Sequence, residues 1–77
     1  MVETYEIARG FPIGYIDVAD DGTVTFSNNA IRYFTHNMVL LLGKGPEVTG
    51  EKVRELYRVL SSSYTMRRLT PLERLFL

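Results

Sequence analysis

No covalent crosslink can hold this chain together: its 77 residues contain no cysteine, so the fold must rest on packing alone. Surface scaling lets a chain of this mass bury about 63% of its unfolded surface, roughly 8,000 Å². If roughly 60% of that area is apolar, burial contributes about 120 kcal/mol against about 115 kcal/mol to order the chain. The two nearly cancel. The length fits one domain, residues 1–77, and so thin a margin favours a stabilising partner or self-association into a homo-oligomer.

The missing thiols also remove thiolate metal sites and thiol catalysis. The longest uninterrupted apolar run, Met38-Val39-Leu40-Leu41-Leu42, falls far short of the ~18 residues of a membrane span. Met1-Val2-Glu3-Thr4-Tyr5-Glu6 lacks the basic start of a secretory signal. An apolar fraction of 45% with a mean hydropathy of −0.03 is the composition of a folded domain. A soluble, cytoplasmic protein without membrane contact is the expectation.

Three extended segments open the chain, at about 2–8, 13–18 and 23–26. Ala19-Asp20-Asp21-Gly22 supplies hairpin-turn chemistry between the second and third, and Thr23-Val24-Thr25-Phe26 alternates as a strand with one wet face should. Helix spacing follows over about 28–42: Asn28 or Ser27 can cap it, and at about 100° per residue Ala30, Ile31, Phe34, Met38, Leu41 and Leu42 share one arc. An alternative division of that segment into two strands, Ala30–Phe34 and Met38–Leu42, stays open. A second helix over about 50–62 has Thr49 as its cap and Val53, Leu56, Tyr57, Leu60 and Tyr64 on one face. Thr70-Pro71-Leu72-Glu73 starts a third over about 71–77, too short to persist unless Leu72, Leu75, Phe76 and Leu77 dock. The fold class is therefore α+β: an antiparallel sheet of two or three strands followed by helices.

Charge is balanced in total, nine basic against nine acidic side chains, but not in place. Residues 1–50 hold six acids against three bases, a net of −3, and residues 51–77 the reverse, +3. Arg54 and Arg58 fall one turn apart on the polar face of the second helix, with Arg67, Arg68 and Tyr64 close behind. Guanidinium and aromatic groups together suit protein hot spots and also nucleic-acid backbones. Glu51 and Glu55, however, sit three residues before Arg54 and Arg58, where helix ion pairs form.

Other chemistry finds little support. Gly43-Lys44-Gly45-Pro46-Glu47-Val48-Thr49-Gly50-Glu51-Lys52 has the glycine spacing of a phosphate loop, but Glu51 stands where the lysine belongs, and Lys52, one place late, is followed by Val53 instead of a hydroxyl that would hold magnesium. Asp17, Asp20, Asp21 and Gly22 lack the late bidentate glutamate of a calcium loop, and turn chemistry accounts for Asp20, Asp21 and Gly22 without a metal. His36, the single histidine, belongs to the polar helix face, without triad or zinc-ligand spacing. No catalytic residue, metal ligand or cofactor is expected. Among five tyrosines and four phenylalanines, Tyr5, Tyr15, Tyr33 and Phe11 are expected to be partly exposed.

Asp21-Gly22, Val24, Phe26, Asn28, Ala30 and Phe34 give Gly14–Phe34 a pattern that resembles the opening strand–turn–strand–helix of PAS sensor domains. It spans about a quarter of the chain, implies no ligand residue, and leaves no further strands to close around a ligand, so membership is not adopted. The overall profile is similar in kind to small accessory proteins of phages and mobile elements, anti-CRISPR inhibitors among them. That likeness of size and style implies a non-catalytic inhibitor or adaptor that covers a surface of a larger protein. The residues expected to make contact are Arg54, Arg58, Tyr64, Arg67 and Arg68. The alternative is a nucleic-acid-binding regulator using the same arginines.

Overall fold

A computed structural model describes all 77 residues. Strands β1 (Glu3–Ala8), β2 (Pro12–Val18) and β3 (Val24–Phe26) form a meander, followed by helices α1 (Asn29–Leu41) and α2 (Gly50–Leu60). A 3₁₀ turn at Ser61–Ser63 leads into β4 (Met66–Arg68), and α3 (Pro71–Arg74) ends the chain. The sheet order is β3-β2-β1-β4 with every pairing antiparallel. The fold is α+β with four strands rather than two or three. The added strand is β4, whose three residues are too few to show a period.

Alternation divides the sheet faces. Tyr5 and Ile7 of β1, Ile16 and Val18 of β2 and Met66 of β4 point inward and meet Ile31 of α1 and Val53 and Leu56 of α2. Thr4, Glu6, Tyr15, Asp17, Thr25 and Arg67 take the opposite face, where Arg74 Nε reaches Thr4 Oγ1 at 2.6 Å and Thr4 donates to Asp17 Oδ1 at 2.7 Å. These bonds satisfy Thr4, which is fully buried.

The segment 29–41 is one helix, and the two-strand division does not occur. Asn28 Oδ1 accepts from Ile31 N–H as its cap, at 2.9 Å. Its buried stripe is Ile31, Thr35 and Val39 rather than one containing Ala30 and Leu41, both of which are exposed. Thr35 fits the core side because its hydroxyl donates to Ile31 O at 2.8 Å and leaves no orphan group. Tyr5, expected at the surface, is 1% exposed, because β1 is an interior strand.

Tyr64 does not continue the inner face of α2. The helix stops at Leu60, and Tyr64 stands beyond the 3₁₀ turn, 88% exposed. At the C-terminus the capping box forms as expected: Glu73 N–H donates to Thr70 Oγ1 and Thr70 N–H to Glu73 Oε1. The helix it starts ends at Arg74, and Leu72, Leu75, Phe76 and Leu77 remain exposed instead of docking. No element of the chain lies over them, which raises the accessible surface to 5120 Å² against about 4,800 Å² for a compact chain of this mass. No helix is long and apolar enough to cross a membrane.

Two glycines let the helices approach the sheet. A Cβ on Gly14 would collide with Ile31, and would lie 2.7 Å from Ser27 Oγ and 2.8 Å from Asn28 Nδ2. One on Gly50 would lie 2.6 Å from Val18 Cγ1. Gly14→Ala therefore presses on both the cap of α1 and its first core residue, and should destabilise the fold by about 1–3 kcal/mol. Chemical denaturation checks this, with the midpoint falling at an unchanged slope.

Candidate functional site

The loop between α2 and β1's partner strand β4 decides where the arginines go. After the 3₁₀ turn the backbone reverses through Tyr64, whose φ of 60° is in the left-handed region. It is the one non-glycine residue of the chain with positive φ. A tyrosine there costs roughly 1–2 kcal/mol that glycine would avoid. Its hydrogen bond, Tyr64 N–H to Ser61 O at 3.2 Å, belongs to the backbone, and the ring has none.

β4 then runs antiparallel beside β1 with Tyr5 opposite Arg68, Glu6 opposite Arg67 and Ile7 opposite Met66. This register places the two arginines on opposite faces, each against an acid of β1. Arg68 Nη2 lies 3.5 Å from Glu3 Oε2, and Arg54 Nε of α2 donates to Glu3 Oε1 at 2.9 Å. Arg67 lies 3.5 Å from Glu6 Oε1 and also donates to Glu73 Oε2. The structure thus joins Arg54 with Arg68 at Glu3, and Arg67 with Glu6 and Glu73. Arg58, exposed one turn further along α2, makes no ion pair. The helix pairs expected of Glu51 with Arg54 and Glu55 with Arg58 are absent: Arg54 turns to Glu3, and Glu55 accepts Lys44 at 3.4 Å.

These contacts move the titration of several groups. Burial pushes the Glu3 carboxyl up, but hydrogen bonds from Arg54 and Tyr5 outweigh it and hold the net value below the usual range. Burial, then the bond to Glu3, raises the Tyr5 phenol. Arg67 is raised by Glu73 first and Glu6 second. The Thr70 backbone N–H, followed by the Arg67 guanidinium, brings Glu73 down to about 2.

A recess of about 350 Å³ lies beside β4, lined by Glu6, Tyr57, Ser61, Tyr64, Met66 and Arg67. Tyr57 and Ser61 belong to the helix layer and Glu6 to the opposite face. Since β1 closes one side of β4, the recess wraps its open side. Tyr64 also lines a second, larger hollow beside Phe34, Met38 and Leu60, so its ring forms a ridge between two depressions. Sequence reasoning placed Tyr64, Arg67 and Arg68 in this region but missed Tyr57 as a wall and Glu3 and Glu6 as counter-ions. The alternation of Glu3 and Glu6 with buried Tyr5 and Ile7 was visible, but only the pairing with β4 reveals which cations they meet.

Away from this surface, His36 is half-buried beside Phe26, with ring centroids 6.1 Å apart, rather than fully solvated. Gly43–Thr49 is the connection between α1 and α2. No group of three or more His, Asp or Glu side chains gathers in one place. No protein-family model matches the chain, and neither a curated protein nor a solved structure shows significant similarity to it.

The low Glu73 value has a signed consequence. Because ionisation is favoured in the folded state, the contribution of the α3 cap is complete above pH about 4.5 and is lost as pH falls through about 2. The Thr70 amide should follow that titration by NMR with a midpoint near 2. In Glu73→Gln the step should disappear, and a midpoint near the ordinary value of 4.5 in the native chain would contradict the pairing.

Proposed function

We propose that this chain is non-catalytic and works by binding a larger protein, as an inhibitor or adaptor, through the surface that Tyr64 and the β4 arginines form. The observation that carries the reading is Tyr64 itself. An aromatic ring 88% exposed gains nothing from burial in the free chain, while the backbone conformation that presents it favours glycine and is costly for tyrosine. Such a residue is explained when the ring is covered in a complex, where tyrosine contributes strongly. The recess behind it and the hollow in front of it offer a partner shape on both sides of the ridge.

The ion pairs favour a protein over a nucleic acid. Arg54, Arg67 and Arg68 each meet a glutamate, so the surface offers a few discrete donors, at Arg68 and the unpaired Arg58, rather than the extended positive field that a phosphate backbone needs. Phosphate-driven binding would also fall steeply between ~50 and 200 mM salt, whereas a desolvated protein interface changes far less. An intracellular setting and a role in phage or mobile-element biology belong to the same proposal, on the strength of size, style and cysteine-free composition alone.

The test is a separation of stability from binding. Tyr64→Gly should leave the free chain as stable as before, or more stable by up to about 1 kcal/mol. The same variant should lose about tenfold or more in affinity for whatever protein the native chain retains from a nuclease-treated lysate of its source. Retention that vanishes with nuclease would make nucleic acid the partner, and unchanged retention by Tyr64→Gly would remove the tyrosine ridge from the interface.

A further inference from the structure

The hydrogen-bond pattern of β4 specifies more than a contact surface. Ala8 N–H donates to Thr65 O at 2.9 Å and Leu69 N–H to Thr4 O at 2.9 Å. These bonds bracket the strand, so Glu6 and Arg67 form the hydrogen-bonded pair, while Ile7–Met66 and Tyr5–Arg68 are the non-hydrogen-bonded pairs. The N–H and C=O groups of Met66 and Arg68 therefore point away from β1, along the outer edge of the sheet. Nothing pairs with that edge, since β4 is the last strand in the order. We infer that the open edge of β4 receives an extended, acidic segment of the partner as a fifth strand, seating one apolar or aromatic side chain between Tyr57 and Tyr64.

This rests on the protein-binding reading and specifies its mode. Strand addition supplies affinity through main-chain bonds and specificity through pockets for alternate side chains. Both are present here: the outward groups of Met66 and Arg68, and the recess of about 350 Å³ that wraps the same edge between Tyr57, Tyr64 and Met66. Charge selects the occupant. A second β4 pairing symmetrically would set Arg67 against Arg67, and like charges directly opposite are destabilising. An acidic strand meets the reverse situation. Arg68 approaches Glu3 no closer than 3.5 Å, beyond the ~2.7–2.9 Å of a charge-assisted hydrogen bond, so guanidinium donors are free for a second carboxylate. Arg58, without an acid of its own, lies on the neighbouring helix face. The other edge, β3, carries only Val24, Thr25 and Phe26, and the hollow beside it is lined mainly by the polar Ser27, Asn28, Asn29 and Arg32, with Phe26 as its one aromatic ring.

Proline at position 68 isolates the backbone contribution. The Arg68 N–H points outward, so Arg68→Pro removes a docking donor without breaking a bond to β1, the placement in which edge strands tolerate proline. Arg68→Ala loses the same side chain and keeps the N–H. Short random peptides displayed as a library would be selected on the whole chain. The winners are expected to carry acidic residues at alternating positions around an aromatic, and to slow hydrogen exchange at the Met66 and Arg68 amides. Arg68→Pro should bind them about tenfold more weakly than Arg68→Ala. Methylation of alternate peptide amides, which leaves the protein untouched, should cost a similar factor even if the proline variant folds poorly.

Several results would overturn the inference: no peptide selected, peptides lacking acidic residues, protection at Val24–Phe26 or Leu72–Leu77 instead of β4, or indifference to amide methylation. A protein retained from lysate that binds Arg68→Pro and Arg68→Ala equally would refute strand addition while leaving protein binding intact. Failure to retain any protein would instead count against the underlying reading.

Discussion

The pairing of β1 with β4 is the constraint on which the rest of this molecule depends. It joins Glu3–Ala8 to Met66–Arg68 across almost the whole length of the chain. That contact makes β1 an interior strand, buries Tyr5 and Ile7 under α2, and sets the register that brings Glu3 and Glu6 to the arginines. It also delivers the residues after β4 to the polar face of the sheet, where Arg74 meets Thr4 and Thr4 meets Asp17. Without it α2 would cover a sheet of three strands, and Arg67 and Arg68 would have no fixed orientation.

Local chemistry is legible in the sequence wherever a residue acts on its near neighbours. Asn28, Thr49 and Thr70 cap helices as their side chains predict, and Asp21-Gly22 closes the turn between β2 and β3. The boundaries of β1, β2, β3, α1 and α2 fall within one or two residues of the expected ones. The errors are of another kind. Met66–Arg68 gave no strand signal because its identity as a strand is conferred by β1, not by its own pattern. Tyr64 kept helical spacing after Leu60 although the helix had already ended in the three serines. Leu72, Leu75, Phe76 and Leu77 stay exposed because α3 stops at Arg74 and no element of the structure covers them, which their apolar character alone does not reveal.

The candidate site divides in the same way. All five expected contact residues are exposed, the four arginines as their charge requires and Tyr64 against the helical spacing that set it on the inner face of α2. How they are spent was not foretold. Helix spacing assigned Arg54 and Arg58 to Glu51 and Glu55, whereas the long-range partner Glu3 takes Arg54, and Lys44 takes Glu55 and so leaves Arg58 free. An arginine-rich segment that reads as a basic surface is, in three dimensions, a set of nearly neutral pairs from which specific donors remain. For the proposed binding role, that moves the weight from bulk charge to shape and hydrogen bonding.

Strand order also imposes an order in time. During synthesis β1, β2 and β3 emerge first and can form their meander, but the second edge of β1 stays open until residue 68 is made. Through that interval the nascent chain displays an unpaired strand edge with Tyr5 and Ile7 awaiting α2. The interval opens with β1, which carries two glutamates, and ends with the most basic strand, β4. Slow translation over the α1–α2 connection would prolong this vulnerable state, and rapid completion of the last dozen residues would shorten it. The delay between β1 and β4 therefore sets how long that edge is open to misassembly.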